Sequence, residues 1–282
     1  MINSRLLTAA ALAALMLVAC NGKSSTQTTT TTTTTEASPG GTATKTIGVS
    51  IQNREAQFYQ DMENGMKAQA AKYGYSLTFV DANRDNSKQQ SQVEDFISKK
   101  VDAIVLTPYD SQAIGSAIVE ANKANIPVFT ADIANTSKQG TVVAHIASDN
   151  VQGGAQAGKL MCQGLAASGK TAVGSIAIID EPEVTSVQDR VKGFKSAVAA
   201  NCKGVIVVSD IDAGGDRQKA DSTMADILTS HKDLKGIFGI NDDSALGALT
   251  AVKAANLKGL IVVGYDASPE AQTAIKAGDM YG

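Results

Sequence analysis

The stretch GLAASGKT, Gly164 to Thr171, matches the phosphate-cradling pattern G-x-x-x-x-G-K-[ST] letter for letter. That pattern binds phosphate only where a strand precedes it and a helix follows, so that glycine-rich backbone N–H groups wrap the anion. Here a helix-period segment, Val151 to Ala167, comes first, and the apolar run VGSIAII comes after. The order is reversed. Gly169 then reads as a helix stop, with Lys170 near the negative helix end. A near-match, GGAQAGKL from Gly153 to Leu160, falls within the helical segment and lacks the hydroxyl residue. Neither stretch is read as a nucleotide site.

A more coherent set of polar residues follows a series of apolar runs. Gln52, Asn53 and Glu55 come after the first run and Asp132 after the fourth; later come Asp180 and Glu181, Asn241, and Asp266. Two carboxylates accepting hydrogen bonds from two sides suit a small ligand rich in hydroxyls. The competing role for each is helix capping. It is weak for Asp266, because Ser268-Pro269-Glu270 already forms a cap with proline at the first helical position. It also explains little for Asp132, which no helical pattern follows, whereas for Asn241 it competes seriously with Asp242, Asp243 and Ser244 nearby. Phe58 and Tyr59 stand together in a chain with only 4% aromatic residues; their rings suit the C–H face of a sugar. Core packing is the alternative, and Phe58 fits it through its spacing with Met62. Arg190 is expected in the first turn of a helix, after a capping box of Ser186 and Asp189. Its guanidinium offers fixed donors to balance the aspartates, unless it is merely solvated.

The elements that must position these residues alternate strictly. Strand-like runs TIGVSI, SLTFVD, AIVLTP, VFTAD and VVAHIAS are followed by VGSIAII, VIVVSDI, IFGIN and IVVGYD. Between them lie amphipathic segments such as FYQDMENGMKAQAAKYG, with Phe58, Met62, Met66 and Tyr73 on one face. Such alternation predicts parallel sheets covered by helices. The chain also repeats itself. QDMENGMK (60–67) returns as QDRVKGFK (188–195), and AIVLTPYDSQAIG (103–115) as GIFGINDDSALG (236–247). EANKANIPVFTAD, ending at Asp132, is echoed by AVKAANLKGLIVVGYD, ending at Asp266. Three echoes in one order predict an α/β fold of two similar doubly wound lobes, 46–148 and 149–282, joined by a hinge. Ligands of such sheets sit beyond the carboxyl ends of the strands, so facing lobes would share a cleft.

Arg5 followed by the apolar run Leu6 to Val18 reads as an export signal over residues 1–19, too short to span a bilayer. Leu17-Val18-Ala19-Cys20 resembles the lipobox of bacterial lipoproteins, which implies cleavage before Cys20 and lipid on its sulfur. Residues 20–45, NGKSSTQTTTTTTTTEASPGGTATK after that cysteine, lack the apolar surface to offset ordering and read as a tether. A net charge of −3 argues against a nucleic-acid partner. Two histidines and no paired cysteine spacing predict no metal site. In an exported chain, Cys162 and Cys202 are either a disulfide or two buried thiols.

The runs ANIPVFTAD, HIASDN, RVKGF, INDDSALGAL and VVGYDASP, from about Lys45 onward, resemble the ribose/galactose (type I, lac-repressor-like) family of periplasmic solute-binding proteins. The resemblance implies a sugar held between two lobes and handed to the permease of an ATP-driven importer. No catalytic residue and no cofactor are implied, and a monomer tethered in the cell envelope is expected. A sugar receptor serving a membrane sensor is the alternative; an enzyme using paired acids finds no nucleophile motif to support it. Carried over by position, Phe58 and Tyr59 match the stacking aromatics, Asp132 the first-lobe carboxylate, and Arg190, Asn241 and Asp266 the second-lobe contacts. Glu55 joins the candidate set beside them. Three positions depart from the ribose pattern. Ile133 stands where it has arginine, Ala56 where it has asparagine, and Gly215 near where it has a stacking phenylalanine. The second lobe offers four strands with Met280-Tyr281-Gly282 as the start of a fifth, so the chain is expected to be a truncated form of the family.

Overall fold

The computed structural model describes residues 44–167 and 171–282; the export signal, Cys20, nearly all of the threonine-rich tether, Gly169 and Lys170 lie outside them. The first sheet is built from β1 (Thr46–Ile51), β2 (Ser76–Asp81), β3 (Ala103–Leu106), β4 (Val128–Ala131) and β5 (His145–Ile146). All its pairings are parallel, in the order β2-β1-β3-β4-β5. Helices α1 (Gln57–Tyr73), α2 (Asn86–Ser98) and α3 (Gly115–Lys123) provide the crossovers. Because both faces of a parallel sheet are meant for helices, its central strands carry apolar residues on each side. Ile104 and Leu106 face Phe96, Ala117 and Ile118, while Val105 on the opposite face packs with Val49, Ile51 and Tyr59.

The second sheet comprises β6 (Val173–Asp180), β7 (Gly204–Asp212), β8 (Leu234–Gly239) and β9 (Ile261–Val263), again all parallel, in the order β7-β6-β8-β9. Helices α4 (Asn150–Leu165), α5 (Thr185–Asn201), α6 (Arg217–Ser230), α7 (Asp242–Ala254) and α8 (Pro269–Ala277) surround it. Phe194 of α5 and Phe238 of β8 stack at 4.2 Å in its centre. The two sheets share the order 2-1-3-4, which is the internal repeat of the sequence in three dimensions. Past β9, the Tyr281 N–H donates to Val262 O and the Gly264 N–H to Gly282 O.

Helix α4 does precede β6, so GLAASGKT falls between a helix and a strand, the reverse of the order a phosphate loop needs. Three local expectations need correction. Only His145 and Ile146 of VVAHIAS form strand, because β5 is an edge that pairs with Thr130 and Ala131 alone. Tyr73 is 70% exposed, although Phe58, Met62 and Met66 of the same helix pack on the sheet. It sits at the rim of an apolar groove between α1 and β4–β5 that stays open among the described residues. The capping box at α5 does not form, since the helix starts two residues earlier, after Val184, leaving Ser186 within the first turn.

Helices α4 and α5 touch backbone to backbone. A Cβ on Gly154 would lie 1.9 Å from the Arg190 carbonyl oxygen, and one on Gly193 would lie 2.1 Å from that of Val151. Cys162 in α4 and Cys202, just after α5, are joined by a disulfide with Cα atoms 5.7 Å apart. The helix that carries Arg190 is thus fixed against its neighbour at both ends.

Candidate functional site

In each sheet the chain leaves the first strand in one direction and the third in the other, opening a crevice at their carboxyl ends. The two crevices face each other across a shared cavity. The first lobe supplies Gln52, Asn53, Phe58, Tyr59 and Asp132; the second supplies Glu181, Arg190, Gly215, Asn241 and Asp266. The lobes also touch directly. The Ser111 N–H donates to Glu183 O (3.1 Å), the Thr185 N–H to Ser111 Oγ (3.1 Å) and the Ala134 N–H to Thr185 Oγ1 (2.9 Å). Gln52 Nε2 donates across the cavity to Glu181 Oε1 at 2.5 Å.

Local chemistry sets each side chain. Asn53 Oδ1 accepts from the N–H groups of Glu55 and Ala56, turning the chain into α1 and bringing Phe58 and Tyr59 to the cavity. The two rings meet edge to face at 5.2 Å. The Tyr59 hydroxyl lies 2.5 Å from Gln52 Oε1 and 3.3 Å from Asp132 Oδ2. Burial raises this phenol well above its ordinary pKa, and the nearby carboxylates of Asp132 and Glu181 add to the rise. It is therefore a hydroxyl donor at any physiological pH.

Asp132 and Asp266 occupy equivalent places in the two lobes and share a backbone signature, with φ of 65° and 104°. Side chains rarely hold positive φ, so both turns are strained in the same sense, each presenting a carboxylate to the cleft. Asp242 Oδ2 accepts from the Ser268 N–H at 2.6 Å and secures the turn that bears Asp266. Ser268 caps α8 as the sequence predicts, which leaves Asp266 free of that task. Burial pushes the Asp132 carboxyl up to about 6, against the pull of Arg190 and the Tyr59 hydroxyl. Asp266 is raised too, by burial first, with Arg190 opposing. It keeps an exposed edge on a second pocket at the cleft mouth, where water offsets part of that effect.

Arg190 is 7% exposed, so it is not a solvated helix residue. It donates to the Ile240 carbonyl oxygen and, at 2.8 Å, to Asn150 Oδ1, while its Nε has no partner in the protein. Asn241 proves to be the N-cap of α7: its Oδ1 accepts from the Ser244 N–H at 2.7 Å and its Nδ2 donates to Gly215 O. It lines the cavity with its acceptor already used, so the capping role and the site role coincide. Glu55 departs from expectation. Its side chain is 64% exposed, pairs with Arg84 and lines only the outer pocket. The reason is that Asn53 turns the chain there, which swings Glu55 outward.

Arg84 and Tyr265 lay outside the residues singled out in the sequence, whereas Gln52 and Glu181 were placed after the strands without a ligand role. Gln52 and Glu181 were legible as strand-end polar residues, but nothing in their spacing marked them as an interlobe pair. Arg84, in the loop after β2, sits between Glu55 and Asp216 of the other lobe. Tyr265 lies under Arg190; its place beside Asp266 was the one available signal.

Two parallel α/β lobes closing on a polar cavity define a bilobed solute-binding protein. Residues 47–282 match the family model described as a periplasmic binding protein domain, and the chain belongs to the type I, ribose-binding branch of that family. It is 34% identical over 222 residues to the ribose import binding protein of Bacillus subtilis, covering 78% of this chain and 70% of that one. A Caulobacter myo-inositol binding protein, solved with myo-inositol, superposes with a TM-score of 0.75 at 30% identity, covering 83% of this chain and 79% of its own. A solute-binding protein from Actinobacillus succinogenes with bound D-allose gives 0.73 at 29% identity, covering 84% and 83%. By this kinship the chain is a binding protein and not an enzyme.

Proposed function

We propose that this protein is the sugar receptor of an ATP-driven importer, held outside the cytoplasmic membrane by lipid on Cys20 and the tether that follows. It grips a monosaccharide or related polyol between its lobes and presents the closed form to a permease. The observation that carries this reading is the convergence of Asp132 and Asp266, one from each lobe, on a cavity that also holds Arg190. A ligand bridging such groups gains contacts only when the lobes are together, so binding favours closure. Phe58 and Tyr59 would cover the ring's apolar face, while Asp132, Asp266 and Arg190 would bond its hydroxyls. Several charge-assisted hydrogen bonds plus stacking can supply the roughly −8 kcal/mol of a micromolar complex.

Calorimetry of the full-length protein against pentoses, hexoses and polyols tests this reading. A micromolar complex with at least one is expected, and silence across the whole panel would overturn it. Export and anchoring are tested separately by the mass of the processed N-terminus, which should begin at a lipid-modified Cys20.

A further inference from the structure

The charges lining the cavity do not balance. Three carboxylates, Asp132, Glu181 and Asp266, line it with Arg190 as the one cation among the described lining residues. Arg190 lies within 4 Å of no carboxylate: it is held by Ile240 and Asn150, and its Nε is left without a partner. Beside Asp132 stands Ile133, fully buried and unable to supply charge. Glu181 is the least compensated member: it is 4% exposed and accepts one hydrogen bond, from the neutral amide of Gln52. Its nearest cations are committed or outside. Arg84, whose charge opposes the effect of burial on Glu181, is already paired with Glu55 and near Asp216, and Lys219, whose ammonium comes near Gly214, belongs to an exposed residue. Asp212 and Glu183 nearby add negative charge. The carboxylate is nonetheless built in. A Cβ on Gly215 would fall 2.6 Å from Glu181 Oε2, so the acid occupies space that only glycine leaves open.

Resting on the reading that this cavity is the sugar site, we propose that its preferred ligand is cationic: a polyhydroxylated ring bearing a protonated amine, such as an amino sugar or aminocyclitol, with the ammonium held by Glu181. Asp132, Asp266 and Arg190 remain for the hydroxyls. A buried acid without a cation favours its neutral form, and burial indeed pushes Glu181 up to about 7. An ammonium supplies the missing positive charge in place of that proton, so its binding should release protons to the buffer.

The test is calorimetry of the full-length protein with matched pairs: 2-, 3- and 6-amino-6-carbon sugars against the parent D-glucose and D-galactose forms, and an inosamine against myo-inositol. At least one amine should bind about tenfold or more tightly than its hydroxyl counterpart, the difference between a charge-assisted and a neutral hydrogen bond. Glu181→Gln should erase that ratio. Parent sugars binding as well as or better than every amine would overturn the proposal and leave the sugar-receptor reading intact. Failure of both classes to bind would overturn both. The wild-type ratio decides even if the variant folds poorly.

Discussion

The guanidinium of Arg190 lies over the ring of Tyr265, its central carbon 3.6 Å from the ring centroid. Helix α5 of the second lobe thereby carries a cation gripped from below by an aromatic face and from the side by Asn150 and Ile240. This geometry depends on a planar, forked group. Arg190→Lys should therefore behave as a severe change. Sugar affinity is expected to fall at least about a hundredfold, and Arg190→Met, which removes the hydrogen bonds to Ile240 and Asn150, should also cost about 1–3 kcal/mol in folding. Calorimetry and urea unfolding read the two effects.

Asp132→Asn and Asp266→Asn preserve shape at two positive-φ turns, which asparagine tolerates better than alanine. Each should weaken sugar binding by about ten- to a hundredfold through loss of a charged acceptor. Asp132→Asn should not lower the melting temperature at pH 8, because burial already penalises the ionised form of that carboxyl. A variant that binds as tightly as the parent would remove that aspartate from the site.

Gly154→Ala adds a methyl group where the Arg190 carbonyl oxygen already sits. The α4–α5 pair must separate, at a cost of about 1–3 kcal/mol, and Arg190 moves with it. Stability and affinity should fall together, although residue 154 is absent from the cavity lining. Gly65→Ala, in the interior of α1 where an added Cβ meets nothing within 4 Å, is the control: affinity should not change and stability should rise by up to about 1 kcal/mol.

Closure of the ligand-free protein should depend on pH. In the open or unfolded chain a glutamate titrates near 4, whereas burial raises Glu181 to about 7 and Asp132 to about 6 in the closed form. The closed form holds extra protons between those limits, so its stability falls as pH rises from about 4 to 7. Glu181 alone contributes on the order of 3 kcal/mol. Melting temperatures of the ligand-free protein should decline over this window, and less steeply in Glu181→Gln. Acids held below their ordinary range, such as Glu63 beside Arg54 and Lys67, act in the opposite sense but only at lower pH. Identical slopes in parent and variant would refute the assignment to Glu181.

The Cys162–Cys202 disulfide closes a loop across 40 residues and pins the far ends of α4 and α5. Its removal by Cys162→Ser with Cys202→Ser should lower stability by about 2–4 kcal/mol, read by denaturant unfolding. Sugar affinity should change little, because both cysteines lie in the core cluster beside Phe194 and away from the cavity lining.

The sequence by itself determined the alternation of strand and helix, the twofold repeat and the strand-end positions of Asp132, Asn241 and Asp266. These follow from local rules, since strand runs, helical periodicity and the residues after each strand are written consecutively. It also disposed of GLAASGKT, because the order of neighbouring elements is local too. What only the tertiary structure decided are relationships across the cleft or between helices. Gln52 and Glu181 stand 129 residues apart and meet at 2.5 Å because two separate sheets face each other. Glu55 and Asn53 looked interchangeable as polar residues after β1, until one backbone turn sent the first outward and the second in. Arg190 was one charged residue on a helix whose periodicity could not tell solvent from a neighbouring lobe; the backbone contact of α4 with α5 and the ring of Tyr265 made it the buried cation of the site. Long-range packing chooses which polar groups lose water, and that choice, more than residue type, sets their charge and their reach.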